Sequence, residues 1–344
     1  MPKSAMHPLY NRLKAQGFER QYVQAAILPD WWEDALFDNP SNRLAAQMNI
    51  ARYLGVRLQD LVSATASIAP PVQNVRLKRG KNAEIGDVMG AVAAALQAAK
   101  MTSALMKGRL PFTGVRPALE IRNQLLARPD CTWPDLPNLL DYCWQHGIGV
   151  IHVTRLPKVP KAKKIEGLAT FVGDRPVIVL CSGRDSPAWL AFHLAHEVGH
   201  IMCGHVKPGD APLVDIKLEG VNDEAQEREA DQYAFQVLTG HPDVQLGADV
   251  GLTAPKLAQA ARSFGERYRI HPGTVALIYG YCQKRIPVAQ AALGVMRADQ
   301  GARATLAEAF RRHIPLDDVP ENIQRSLSAT TQIYGLTQLE DADF

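Results

Sequence analysis

Apolar residues recur at helical spacing through the first 66 residues and predict a helical domain. The pattern runs through PLYNRLKAQGF and RQYVQAAIL, and Pro29 ends it. Asn39-Pro40-Ser41 then supplies a cap for the helix NRLAAQMNIARYLGV. The segment ARYLGVRLQDLV, residues 51–62, has the helix, glycine-containing turn and second helix of a helix-turn-helix unit.

This helix-turn-helix-like turn makes DNA a candidate partner. Over this one turn the chain resembles small repressor-type DNA-binding domains. Arg57 and Gln59 would open the second helix, where base contacts are usually made. Leu-Gly-Val turns also occur in plain helical packing, so a purely structural role stays open.

Residues 67–130 predict a linker followed by a helical region. Pro70-Pro71 and the basic run VRLKRGKN favour an extended linker, and an Ala-rich helical pattern continues to about Arg128. Its most apolar segment, residues 85–99, is interrupted and too short to span a bilayer. We therefore expect no membrane partner.

Beyond residue 130 the pattern alternates between helical and strand periods, which predicts an α+β fold. A helix over DLPNLLDYCWQHG precedes a strand at IGVIHVTRL. The runs GLATFV and PVIVLCS predict a hairpin at Gly173-Asp174, with the following Arg-Pro lengthening the turn. We expect a mixed domain over residues 131–290 and a C-terminal helical extension and tail over 291–344, unordered beyond about 315.

Composition and charge indicate a soluble cytoplasmic protein with a basic front half. The chain is 47% hydrophobic and 21% charged, and its five cysteines lack the spacing of a disulfide framework or zinc finger. Residues 1–128 hold 17 Lys and Arg against 9 Asp and Glu. Two basic runs could follow a phosphate backbone or be exposed loops. Their candidate nucleic-acid-binding residues are Arg76, Lys78, Arg79, Lys81, Lys161, Lys163 and Lys164.

The segment LAFHLAHEVGHIMCGH, residues 190–205, carries the candidate chemistry. It contains an H-E-x-x-H motif, whose four-residue spacing puts His196 and His200 one turn apart on one helix face. Both imidazoles can then reach one zinc ion. Glu197 would lie beside the metal as the general base.

A third zinc ligand is predicted in NDEAQEREADQYAFQVL, residues 222–238. Glu227 and Asp231 share a helix stripe with Ala230 and Ala234, so both carboxylates should face the core. Buried anions require a compensating cation. We assign Glu227 as the third ligand and Asp231 as the acceptor for an imidazole N–H of His196 or His200. Glu224 and Glu229 are alternative ligands, although Glu229 should point to solvent.

These motifs resemble those of the ImmA/IrrE family of bacterial metallopeptidases. The likeness rests on AHEVGH after the strand PVIVLCS, on EREADQYAF, and on ARSFGERYRIHPGTVALIYGYCQKR, and it covers about residues 130–285. It implies a zincin-like fold with one zinc ion. It also implies cleavage of a partner repressor, which switches on stress, mobile-element or anti-phage genes.

Further candidates concern transition-state stabilisation and control. His271 and then Tyr233 are the candidates to stabilise the oxyanion. Cys131 is a candidate removable fourth zinc ligand, with Cys203 as its rival. We expect a zinc endopeptidase controlled by DNA, with single-stranded DNA included. The alternative is a DNA-binding regulator whose peptidase-like half does not cleave.

Overall fold

The computed structural model describes residues 5–63, 68, 76–77, 85–106, 108, 110–162, 164–216, 225–244 and 251–334. The helices are α1 His7–Lys14, α2 Arg20–Ala26, α3 Pro40–Leu54, α4 Leu58–Val62, α5 Ile85–Leu105, α6 Ala118–Leu126, α7 Leu136–Gln145, α8 Pro187–Met202, α9 Ala225–Thr239, α10 Ala254–Tyr268, α11 Pro272–Cys282, α12 Ile286–Met296, α13 Ala302–His313 and α14 Glu321–Thr330. The strands are β1 Arg76–Leu77, β2 Gly149–His152, β3 Ile165–Val172, β4 Arg175–Leu180 and β5 Leu213–Ile216. The chain is rich in helices and has one small mixed sheet, which confirms the expected mixture of α and β structure.

The strands form one mixed sheet in the order β1-β5-β3-β4-β2. β3 pairs antiparallel with both β4 and β5, whereas β2 is parallel to β4 and β1 is parallel to β5. Val172 pairs with Arg175, so the hairpin turn is the two residues Gly173-Asp174. The expected lengthening by Arg-Pro is wrong, because Gly173 adopts φ +63° and closes the tight turn.

Helices cover both faces of the sheet, which explains the apolar strands. Val177 and Val179 pack towards α5, while Ile178 and Leu180 pack towards α7 and α8. α5 has 21 residues, so this apolar helix is longer than the segment 85–99 that the sequence predicted. By length and composition this helix could cross a membrane, and 61% of its apolar window is buried against the protein.

The N-terminal helices α1 to α4 enclose a separate cluster of apolar side chains that also includes Ala94 of α5. Asn39 caps α3 as predicted, accepting from the backbone N–H of Ser41 at 2.9 Å. α4 has only five residues, and Arg57, before its first turn, pairs with Asp60 at 2.9 Å.

The predicted nucleic-acid-binding residues have exposed or undescribed side chains. Gln59, Lys161 and Lys164 are exposed, and of Arg76 only the backbone in β1 is described. Lys78, Arg79, Lys81 and Lys163 lie outside the described residues.

The C-terminal region is ordered further than predicted. Leu327 and Ile333 are buried in the core beside the sheet, and the Thr330 carbonyl accepts from the backbone N–H of Thr154 and Arg155. The prediction that the chain lacks order beyond about residue 315 is therefore wrong for the residues up to Tyr334. Thr330 ends α14 and Thr331 follows it; both hydroxyls donate to carbonyls four residues back, which allows both threonines to be buried.

Candidate metal centre

α8 carries the H-E-x-x-H motif across the face of the sheet. Pro187 occupies its first position, where the missing N–H is tolerated. Ser186 precedes it and is a residue type that often caps helices, but its hydroxyl donates to the Ala298 carbonyl at 3.1 Å and makes no cap bond. The helix therefore begins without a side-chain cap.

A close contact between α8 and α9 brings the two motifs together. A Cβ on Gly199 would lie 3.0 Å from the Ala230 carbonyl oxygen and 3.2 Å from the Tyr233 Cβ. Only a residue without a side chain fits this contact without displacing α9. Gly199, the fourth residue of the motif, therefore sets how near Glu227 can come to the two histidines.

Three buried side chains converge at this crossing. Nε2 of His196 and Nε2 of His200 are 3.0 Å apart, and the Glu227 carboxylate oxygens lie 3.4 Å and 3.5 Å from them. In a tetrahedral zinc site with bonds of about 2.0 Å, ligand atoms are about 3.3 Å apart. The donor set and its spacing fit one ion, and the cluster could hold a metal.

Asp231 orients the first imidazole. Its Oδ1 lies 2.8 Å from Nδ1 of His196. With Nδ1–H donating to this carboxylate, Nε2 of His196 keeps its lone pair towards the cluster. The predicted carboxylate and the predicted imidazole are thus brought into contact, with His196 as the partner.

His205 and Glu229 support the second imidazole, and neither was predicted to do so. Gly204 adopts φ +73° after α8, so the chain turns back and His205 N–H bonds the His200 carbonyl. Nδ1 of His205 then lies 2.9 Å from Nδ1 of His200, and its Nε2 lies 3.1 Å from Glu229. This sequence of contacts is consistent with His200 donating to His205 and His205 donating to Glu229.

Glu197 is buried with 2% exposure beneath β3. A Cβ on Gly167 would lie 2.3 Å from its Oε1, so this glycine leaves room for the carboxylate. The register of β3 against β5 shifts between Ile165 and Gly167. This strand irregularity therefore lies at the general-base candidate, where bulges are often found in enzymes.

The two oxyanion candidates have structural partners. Nδ1 of His271 accepts from the Gly273 N–H at 3.1 Å and caps α11. Burial lowers the pKa of His271, which favours the neutral ring that capping requires. The Tyr233 hydroxyl donates to the Arg116 carbonyl at 2.7 Å, and burial raises its pKa.

Neither candidate thiol belongs to the three-residue cluster. Cys131 is buried, and its Sγ donates to the Trp133 carbonyl at 3.2 Å. Burial raises its pKa, which opposes formation of a thiolate. Cys203 lies near His205 and Glu229 instead, where burial and the Glu229 carboxylate raise its pKa to about 11. Glu224, an alternative third ligand, lies outside the described residues.

Comparisons with known proteins give no relative for this chain: no protein-family model, curated protein or solved structure matches it.

Proposed function

We propose that this protein is a zinc-dependent endopeptidase with a zincin-like arrangement, similar to the ImmA/IrrE family. The observation that carries the proposal is the buried cluster of His196, His200 and Glu227, whose atoms lie 3.0–3.5 Å apart. Two imidazoles and one carboxylate are a common ligand set of catalytic zinc, which leaves one coordination position open. When bound, such an ion polarises a carbonyl and acidifies a water molecule.

Glu197 is the general base in this proposal. Its carboxylate would accept the proton of the attacking water and then deliver it to the leaving amine, because one group can serve both steps. Burial under β3 excludes bulk water from this carboxylate and fixes its position. Asp231, His205 and Glu229 hold the two imidazole rings in orientation.

We propose as substrate one particular protein, a helix-turn-helix repressor, in the cytoplasm. DNA, including single-stranded DNA, is the proposed activator because the front half of the chain carries an excess of positive charge. Adding oligonucleotides at several salt concentrations should change the cleavage rate. An unchanged rate at every concentration would remove DNA from the proposal.

The test is Glu197→Gln in the full chain, with Glu266→Gln on the exposed face of α10 as the matched control. Both variants are loaded with zinc, and metal content and cleavage of candidate repressors are measured, with fragments mapped by mass spectrometry. We expect one zinc per chain in both variants. Cleavage should fall about 10²- to 10⁴-fold in Glu197→Gln alone.

Two results would contradict the proposal. Full cleavage by Glu197→Gln would remove Glu197 from the chemistry. Zinc retention by a wild-type protein that cleaves nothing, while still binding DNA, would favour a non-catalytic regulator instead.

A further inference from the structure

A pocket of about 250 Å³ opens beside the metal centre, between α8, α9 and α11. Trp189, Phe192 and His193 follow one face of α8 and lead directly to His196. His196 and Asp231 belong to both the pocket wall and the metal centre. The remaining lining residues are Ala188, Phe235, Thr274, Leu277, Ile278 and Tyr281.

The walls of this pocket are aromatic and aliphatic. Phe192 and Phe235 pack against each other in the pocket wall, with ring centroids 5.2 Å apart. Asp231 is the acidic group among the lining residues, and its carboxylate already bonds His196. An anionic side chain entering here would lose its hydration beside a like charge, and a cationic one would find the Asp231 carboxylate already bonded to His196, so both are disfavoured.

Two polar atoms in the walls lack a hydrogen-bond partner among the described residues. They are the indole Nε1 of Trp189 and the hydroxyl of Thr274, both buried. Both atoms are closed off from solvent, so neither offers a hydrogen bond to a molecule in the pocket, and the surface that such a molecule meets is mainly apolar.

We propose that the pocket binds the bulky apolar side chain of the substrate residue next to the cleaved bond. This inference rests on the proposed function, because it assumes that a peptide carbonyl reaches the cluster of His196, His200 and Glu227. Consecutive Cα atoms are only 3.8 Å apart, so the neighbouring side chain must enter the adjoining space. Pockets for whole small molecules measure about 300–1,000 Å³, whereas this one suits a single large side chain.

The test measures binding as well as cleavage. The zinc-loaded full chain is titrated calorimetrically with three peptide hydroxamates that differ only in a methyl, isobutyl or benzyl side chain. We expect the isobutyl and benzyl compounds to bind at least about 100-fold more tightly than the methyl compound, because they bury several more carbon atoms. Cleavage sites in a peptide library should show a bulky apolar residue at one position beside the cut.

A pair of variants locates the effect. Phe235→Ala should weaken binding of the isobutyl compound about tenfold and leave the methyl compound unchanged. Phe264→Ala on α10 removes an equally half-buried ring outside the pocket and should change neither affinity. Thermal unfolding of both variants checks that each is folded.

The outcomes separate this inference from the proposed function. Equal affinity for all three hydroxamates in zinc-loaded protein, or a preference that survives Phe235→Ala, would overturn the pocket assignment and leave the metal centre intact. A protein that retains no zinc would overturn both, and metal analysis detects that case directly.

Discussion

Replacing Gly167 by alanine should disable the general base without removing the metal. The added Cβ would lie 2.3 Å from Oε1 of Glu197 and 3.0 Å from its Cδ. Ordinary van der Waals contact begins at about 3.4 Å, so the oxygen must move by about 1 Å. The end of a flexible side chain can make this move, so we expect the fold to persist while Glu197 leaves its position.

A displacement of about 1 Å can cost about 100-fold in rate. We therefore expect kcat/KM to fall about 100-fold in Gly167→Ala, with zinc content unchanged and only a small change in unfolding temperature. The assay follows a pool of quenched fluorescent peptides cleaved by zinc-loaded protein, with metal analysis of the same samples.

Gly183→Ala is the matched control, because nothing lies within 4 Å of a Cβ at that position. It should behave as wild type in every measurement. Normal activity of Gly167→Ala would refute the reasoning, since it would mean that the carboxylate does not need its present position. Loss of zinc together with activity would instead show that β3 supports the ligands themselves.

Three further predictions concern the metal centre and a helix cap. His205→Ala should lower zinc affinity about 10- to 100-fold in chelator competition, because it removes the support of His200, while the exposed His241→Ala should not. Zinc at 1,000 times its dissociation constant should stabilise the fold by about 4 kcal/mol, so excess chelator should lower the unfolding temperature measured calorimetrically. Burial lowers the pKa of His271 below its usual value of 6.5, so the neutral capping ring stabilises the fold above pH 6.5 and this stability is lost as the pH falls through the lowered pKa. His271→Asn should therefore reduce the difference in the free energy of unfolding between pH 7.5 and pH 5, measured by urea unfolding. An equal pH dependence in both proteins would contradict the capping role.

The sequence predicted the parts of the site that depend on local geometry. The spacing of His196 and His200 is fixed by the helical period, and so is the common stripe of Glu227 and Asp231. The structure adds the convergence of these side chains, which periodicity alone cannot supply. The Gly173-Asp174 dipeptide between two β-rich runs likewise predicted the hairpin, and its turn length followed from Gly173 rather than from the Arg-Pro pair.

The parts that were missed depend on chain reversals and distant contacts. His205 reaches His200 only because Gly204 turns the backbone at the end of α8. Glu229 was predicted to be solvated, and 60% of its side chain is indeed exposed, yet its carboxylate lies within hydrogen-bond distance of the His205 imidazole. Gly167 is thirty positions from Glu197 in the chain, so no local pattern connects them.

One signal in the sequence could have revealed the pocket. Trp189, Phe192 and His193 lie seven, four and three positions before His196, which places them on the same helix face as this ligand. An aromatic run continuing the metal-binding face is more than a core helix needs. The contribution of α11 to the same pocket depends on tertiary packing and has no comparable signal.

The tight approach at Gly199 also determines what loss of the ion would mean for this chain. Apolar packing along α8 and α9, including Val198, Ala230 and Ala234, holds these two helices against each other through residues that are not metal ligands. Uptake of the ion therefore need not supply the free energy that folds these helices, in contrast to zinc fingers, which unfold when stripped. The apoprotein should remain compact at room temperature and regain its ion from solution without refolding.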